Sequence, residues 1–335
     1  WNEKTRRVSS LVTIHNLPFL GPDVKDLLEE YGLPLANTDL PDWARVMPMP
    51  LGLWASDAIV AVSPTYADEI LLEEFGCGLQ DFFRNRTDSL HGILNGIDTA
   101  SFDPQTDPTL TANFNVRTLS ERPRNKAALQ ERVGLPINPD VPLLGMVSRM
   151  DQAKGIDIAL KGLKLMAKQD WQLVLLGAGD PNLEPTAKKF QVGLPERVRA
   201  ETRYDAKLAR QIYGGSDIFL MPSRYEPCGI SQMIAMRYGS VPLVRAVGGL
   251  HDTVTDGETG FVFIDTKVKS FNDALRRALT LYSDHSRWMN LQLAGMVQDF
   301  SWSNSARKYL EVYKKLIAEG TASLRTTSGF GIREG

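Results

Sequence analysis

The chain has 335 residues, 43% hydrophobic and 23% charged, which are globular proportions and more length than one core usually organises, so two domains, or one and a part, are expected. Its 38 basic and 40 acidic residues are mixed throughout, and the formal charge of −2 gives no field for nucleic acid and no polybasic membrane anchor. Two cysteines and four scattered histidines cannot build a disulfide framework or a metal cluster, and the apolar runs are too short to span a bilayer. This leaves a small neutral or anionic partner held in a pocket, and a reducing compartment.

In chain order, residue 1 is Trp1 rather than methionine, and the first apolar run begins within about ten residues. The sequence therefore reads as starting mid-protein, with no targeting peptide to judge. Strand-like runs follow at Leu11–Ile14, Ala58–Val62, Leu143–Val147, Leu173–Leu176, Ile218–Met221, Val241–Val244 and Phe261–Phe263. They alternate with helical periods. Between Gly155 and Lys168, for example, Ile156, Ala159, Leu160, Leu163 and Met166 share one face. Such alternation means βαβ units and parallel sheets covered on both faces. Residues 143–263 hold five of these strands, enough for a complete doubly wound domain, whereas residues 1–94 hold two and read as the later part of another. The Gly-, Asn- and Pro-containing stretch Gly92–Pro108 is the natural hinge, centred on residues 95–106, and the Gly-, Thr- and Ser-rich tail at 321–335 reads as flexible.

Several short segments could carry chemistry. TIHNLPF places His15 and Asn16 at the carboxyl end of the first strand, where a histidine could donate to a sugar hydroxyl or serve only as structure. SRMDQAKG places Arg149 and Lys154 in the turn after Leu143–Val147. Ligands of open parallel sheets bind at carboxyl strand ends, so these two cations either grip a diphosphate or are solvated loop charges. GAGDPN lacks the third glycine of a dinucleotide loop and carries Pro181 instead, which weakens an oxidoreductase reading. Tyr204 precedes a helix and is either a stacking platform for a base or ordinary packing. In SRYEPCGISQM, Pro227 ends extended structure, Gly229 permits close approach, and the N–H groups of Gly229, Ile230 and Ser231 open a helix where an anion is favoured. Glu226 stands just outside it, as a helix-capping acid or a partner for a hydroxyl or developing cation. Cys228 reads as a small packing residue at the same turn, with no base beside it. No Asp-x-Asp pair occurs in the chain, so no metal-dependent diphosphate clamp is supported.

Taken in order, TIHNLPF, AVSPTYADEI, HGILNGIDTASFDPQTD, NKAALQERVGL, MVSRMDQAKGIDIAL, QLVLLGAGDP, IYGGSDIFLMPSRYEPCGISQM, RYGSVPLVRAVGGLHDTV, TGFVF and FSW resemble the bacterial-type glycogen and starch synthases that use ADP-glucose. The resemblance runs from about Thr13 to Tyr313. It implies the GT-B glycosyltransferase fold, two facing Rossmann-like doubly wound domains, the N-terminal one incomplete over 1–94. After a hinge at 95–106, the nucleotide-sugar domain would span 107–303, and a helix at 304–320 would cross back to the first domain. It implies retaining transfer of glucose to the 4-hydroxyl of an α-1,4-glucan, with no cofactor beyond the ADP-glucose substrate, in a bacterial cytoplasm or a plastid.

By the same resemblance Arg149 and Lys154 hold the donor diphosphate and Glu226 lies by the glucose. Gly229, Ile230 and Ser231 bind the distal phosphate with Cys228 in the same donor-binding turn, Tyr204 stacks on adenine, His15 and Asn16 approach the sugar, and Asn95 lies near the hinge. Departures from the family pattern are Arg203 where glycine usually precedes the tyrosine, Ser231 for threonine, and no counterpart of the lysine–glycine–glycine loop. Donor binding without transfer is therefore expected of this chain. Ile234 stands eight residues after Glu226, which argues against transferases with a Glu-x7-Glu pair. The rival readings are a GT-B transferase using UDP-glucose and a non-catalytic nucleotide-sugar or glucan-binding module.

Overall fold

The computed structural model describes residues 8–32, 35 and 37–328. The chain divides into two compact units, Trp1–Asn95 with Trp302–Gly335, and Gly96–Ser301. In the smaller unit, β1 (Leu11–Ile14), β2 (Ala58–Ala61) and β3 (Leu90–Gly92) form a parallel sheet in the order β1-β2-β3. Among the described residues, four short helices accompany it: α1 (Lys25–Glu30), α2 (Pro48–Ala55), α3 (Pro64–Glu69) and α4 (Gln80–Arg84). Helix α3 begins where Ser63 accepts from the Tyr66 N–H at 3.1 Å and Pro64 supplies a preset first turn. Strand β3 is a third strand where the sequence suggested two. It is only three residues long and ends in Gly92, so it carries no periodicity of its own.

The larger unit begins with α5 (Pro123–Val133), followed by β4 (Leu143–Val147), α6 (Ile156–Leu165), β5 (Gln172–Leu176), α7 (Leu183–Gly193) and β6 (Val198–Glu201). Then come α8 (Ala206–Gly215), β7 (Ile218–Met221), α9 (Ser231–Arg237), β8 (Val241–Arg245), α10 (Gly248–Thr253), β9 (Phe261–Phe263), α11 (Val268–Tyr282) and α12 (His285–Met296). All six strands are parallel, in the order β6-β5-β4-β7-β8-β9. This is the doubly wound order, and its direction of winding reverses between β4 and β7.

Alternate residues of each strand serve opposite faces. Leu144, Met146, Leu173, Leu175, Ile218, Leu220 and Leu243 share one core with Ile156 and Leu163 of α6 and Phe271 and Leu275 of α11. On the other face α8 lies so close that a Cβ on Gly145 would come 2.7 Å from Ile212 Cγ2. Burial on both faces makes these strands read as continuous apolar runs. β6 is the sixth strand, absent from the sequence reading. As an edge strand, VRAE is half buried and half polar, so it lacks that signal.

A polar network is buried at the amino ends of β4 and β7. The Asp217 carboxylate accepts from the Leu143 N–H at 2.8 Å and pairs with Lys126 Nζ at 2.8 Å and Arg122 Nη1 at 3.9 Å. Arg122 also donates to the Tyr238 carbonyl at 2.8 Å and Ser240 Oγ at 3.0 Å, and Lys126 to Tyr282 Oη at 2.8 Å. Burial pushes the Arg122 guanidinium down to about 10, with Asp217 opposing the shift.

The stretch expected as a hinge, 95–106, belongs to the larger unit from Gly96 onward and is held down there. Arg210 donates to the Ser101 carbonyl at 2.5 Å and Ser101 Oγ at 2.8 Å, with its guanidinium 4.3 Å from the Phe102 ring centroid, and Arg237 donates to the Thr99 carbonyl at 2.9 Å. The last helix, α13 (Trp302–Ser328), closes the smaller unit. Its Val312 and Leu316 pack with Ala58, Val60 and Ile93, and Ser305 Oγ donates to the Leu94 carbonyl at 2.6 Å. The helix continues past 320 to Ser328, within the stretch expected as a flexible tail at 321–335; 329–335 lie outside the described residues. Gly320 does not end it, because one helical glycine costs only about 1 kcal/mol and Ala318, Ala322, Leu324 and Arg325 around it are good helix formers. Among the described residues no helix is long and apolar enough to cross a membrane.

Candidate active site

The reversal between β4 and β7 leaves a crevice at their carboxyl ends, the usual ligand position in such sheets. A cavity of about 230 Å³ occurs there, lined by Val147 at the end of β4, by Ser148, Arg149 and Lys154 after it, and by Ser223, Glu226, Ile230 and Ser231 after β7. Lys154 Nζ lies 2.8 Å from Glu226 Oε1 and 2.9 Å from Oε2, and Ser223 Oγ donates to Oε2 at 3.0 Å. The carboxylate is buried, at 7% exposure. A buried charge in an open crevice needs such a partner. Arg149 is exposed at the rim and pairs with Asp151 at 3.0 Å.

Backbone close to backbone sets this geometry. Gly155, at φ +65°, closes the 3-10 turn Gln152–Lys154, and a Cβ there would stand 1.9 Å from the Pro222 carbonyl oxygen. Only glycine lets the Lys154 turn lie against the end of β7. The glycines of GAGDPN serve a similar purpose. A Cβ on Gly177 would meet the Ser148 carbonyl at 1.9 Å, and Met150 N–H donates to the Ala178 carbonyl at 2.9 Å. That loop braces the Arg149 turn.

The turn after β7 is held from below by a residue that the sequence reading missed. Gln232 is fully buried, and its Nε2 donates to the carbonyls of Cys228 at 3.3 Å and Gly229 at 3.0 Å and to Thr253 Oγ1 at 3.1 Å. Its place one residue into α9, with no charge and no motif identity of its own, carries no signal without the fold. The same turn is backed by Gly249, whose N–H donates to the carbonyls of Glu226 at 3.3 Å and Pro227 at 3.2 Å.

Arg224 pins the two site loops together. It donates to Asp157 Oδ1 at 2.7 Å and Oδ2 at 3.0 Å and to the Gln152 carbonyl at 2.8 Å. Burial would raise the Asp157 carboxyl, but the hydrogen bonds and charges of Arg224 and Lys161 outweigh it and hold the group below its ordinary 3.8. A carboxyl depressed in the fold adds stability above its unfolded pKa and loses it as pH falls through the folded one. The melting temperature of the chain is therefore expected to exceed that of Asp157→Asn at neutral pH, with the gap closing as pH drops below about 4. A gap independent of pH would exclude the charge contribution.

Of the other predicted residues, Cys228 is buried in the turn, Gly229 takes φ +70°, and Tyr204 stands 90% exposed outside the cavity lining, just before α8. His15, Asn16 and Asn95 belong to the smaller unit. His15 is exposed directly after β1, and Asn16 Oδ1 is buried without a hydrogen-bond partner among the described residues.

Residues 1–85 match the family model described as "Starch synthase catalytic domain", and residues 129–290 match "Glycosyl transferases group 1". A glycogen synthase of Streptococcus gordonii is 42% identical over 95% of this chain and 69% of its own length. One from Aromatoleum aromaticum is also 42% identical, over 93% of this chain and 66% of its own. The catalytic domain of starch synthase IV from Arabidopsis thaliana, bound to ADP and acarbose, superposes over 92% of this chain and 67% of its own with a TM-score of 0.85 and 34% identity. A sucrose-phosphate synthase from Thermosynechococcus elongatus, at 22% identity and a TM-score of 0.60, shares the fold. With that fold, and with a relative of this identity and coverage, the chain belongs to the glycogen and starch synthase family, the glycosyltransferases that add glucosyl units in glycogen and starch synthesis.

Proposed function

We propose that the crevice between the β4 and β7 loops binds the diphosphate and glucose of ADP-glucose, and that the glucose is transferred with retention to the non-reducing 4-hydroxyl of an α-1,4-glucan. The observation that carries this reading is the juxtaposition of Lys154 and buried Glu226, with Arg149 at the rim. Breaking the sugar–phosphate bond develops negative charge on the diphosphate and positive charge on the sugar. Fixed cations stabilise the first and a fixed carboxylate the second. An entering diphosphate competes with Glu226 for Lys154 and leaves the carboxylate facing the sugar.

In this reading Gly229, Ile230 and Ser231 hold the distal phosphate, Cys228 packs within the same donor-binding turn, and Tyr204, being exposed, is available to stack on adenine. The roles of His15, Asn16 and Asn95 rest on the family resemblance, with the unpartnered Asn16 oxygen able to accept from a sugar hydroxyl. The family resemblance implies a same-face route, in which the leaving phosphate takes the acceptor proton. A relative bound to ADP and acarbose supports an adenine nucleotide and a glucan as ligands, and bacterial relatives support a cytoplasmic setting.

The test is competition between ADP-glucose and UDP-glucose in the full-length enzyme with glycogen as acceptor. Preferential incorporation from ADP-glucose is expected. Preference for UDP-glucose would overturn the choice of base, and failure of both nucleotide sugars to bind would overturn the site.

A further inference from the structure

We infer that Tyr213 is a positioning residue for donor binding: its buried phenol donates to Ser231 Oγ and thereby turns the Ser231 proton into the Arg149–Lys154 crevice, toward a phosphate oxygen. The inference rests on the donor-site reading above and adds to it a residue that touches no ligand.

Tyr213 lies near the end of α8, the helix that Tyr204 precedes. Its ring is enclosed by Phe219, at 5.1 Å between centroids, and Tyr238, at 6.3 Å. The phenol reaches Ser231 Oγ at 3.1 Å, its only hydrogen-bond partner among the described residues. Ser231 lines the crevice and is half buried, so it has open space on its other side.

Two hydroxyls in contact have two protons between them, and one proton fills the shared bond. The phenol is the better donor and has no other acceptor, and burial pushes it up to about 12, so it stays protonated. Ser231 has an alternative, because its proton can point into the crevice. The phenol therefore donates and the serine accepts, which leaves the serine proton for a ligand. Serine has no β-branch to fix χ1, so without the phenol its hydroxyl would rotate freely and bind an anion only after losing that freedom.

The experiment is a double-mutant cycle of ADP affinity, measured by calorimetry on the chain with Tyr213→Phe, Ser231→Ala and both. Tyr213→Phe keeps the ring against Phe219 and Tyr238, and its melting temperature checks that the fold survives. Each single change is expected to weaken ADP binding by about three- to tenfold, the range of one net hydrogen bond, and the double variant to be no weaker than Ser231→Ala. Inorganic pyrophosphate as ligand should show the same pattern, because the effect lies at phosphate. Additive losses in the double variant would mean that Tyr213 acts through general packing and would overturn the inference. So would unchanged affinity in either single variant. If the unaltered chain binds neither ADP nor pyrophosphate, the donor-site reading fails, and this one fails with it.

Discussion

Replacing Lys154 with alanine in the full-length enzyme is expected to lower glucosyl transfer from ADP-glucose to glycogen by at least about 10²-fold, and toward 10³-fold, while the fold persists. Two effects add in the same direction. The cation that neutralises charge developing on the leaving diphosphate is lost, in a crevice where part of the water has been excluded. In addition, Glu226, 7% exposed and held by Lys154 through both oxygens, keeps only the Ser223 hydroxyl of its two side-chain partners and is free to leave its position by the sugar. Arg149→Ala should reduce the rate in the same direction. Its side chain is 66% exposed and, among the described residues, tied only to Asp151, so it should change folding stability less. Initial rates and ADP affinity, measured alongside melting curves, check this. Near-normal turnover in a folded Lys154→Ala protein would sink the diphosphate assignment, and full activity in Glu226→Gln would remove that residue from the chemistry.

Asp217→Ala should destabilise the larger unit by about 3–5 kcal/mol, the usual consequence of removing one member of a buried charged group. Asp217 sits between Arg122 and Lys126, all three nearly inaccessible. Its loss strands two cations and the Leu143 N–H at once. In a unit of about 200 residues that should appear as a drop of roughly 10 °C in melting temperature. Combining Asp217→Ala with Lys126→Met should restore part of the loss, because one stranded cation is then gone. A loss below about 1 kcal/mol would place the network among exposed pairs of little consequence, contrary to its burial. The network lies at the amino ends of the strands and the reaction crevice at the carboxyl ends, so a destabilised Asp217 variant that still folds is expected to retain its ADP affinity.

The apolar strands were legible at near-residue accuracy, because Leu143–Val147, Ile218–Met221 and Phe261–Phe263 have no polar residue to interrupt them. β3 and β6 were not, being short or half solvated. Family membership was legible because SRMDQAKG, QLVLLGAGDP and SRYEPCGISQM occur together and in order, with Gly155 and Gly177 standing where a Cβ would meet a carbonyl oxygen at 1.9 Å. Residues that act only by supporting others, Gln232, Arg224, Asp157 and Tyr213, were invisible, since glutamine, arginine or tyrosine in a helix or loop is ordinary on any surface.

From the chain alone, then, came the α/β class, the parallel strands, the two-part organisation and the residue types able to hold a diphosphate. These are local properties, written in periodicity and turn chemistry. The pairing of β4 with β7 was decided by the tertiary structure. That pairing brings Lys154 within 2.8 Å of Glu226, 72 residues away. It also puts Arg224 on Asp157 and, through α8, Tyr213 on Ser231. Strand order depends on which apolar faces pack together over long separations, and no local pattern specifies it.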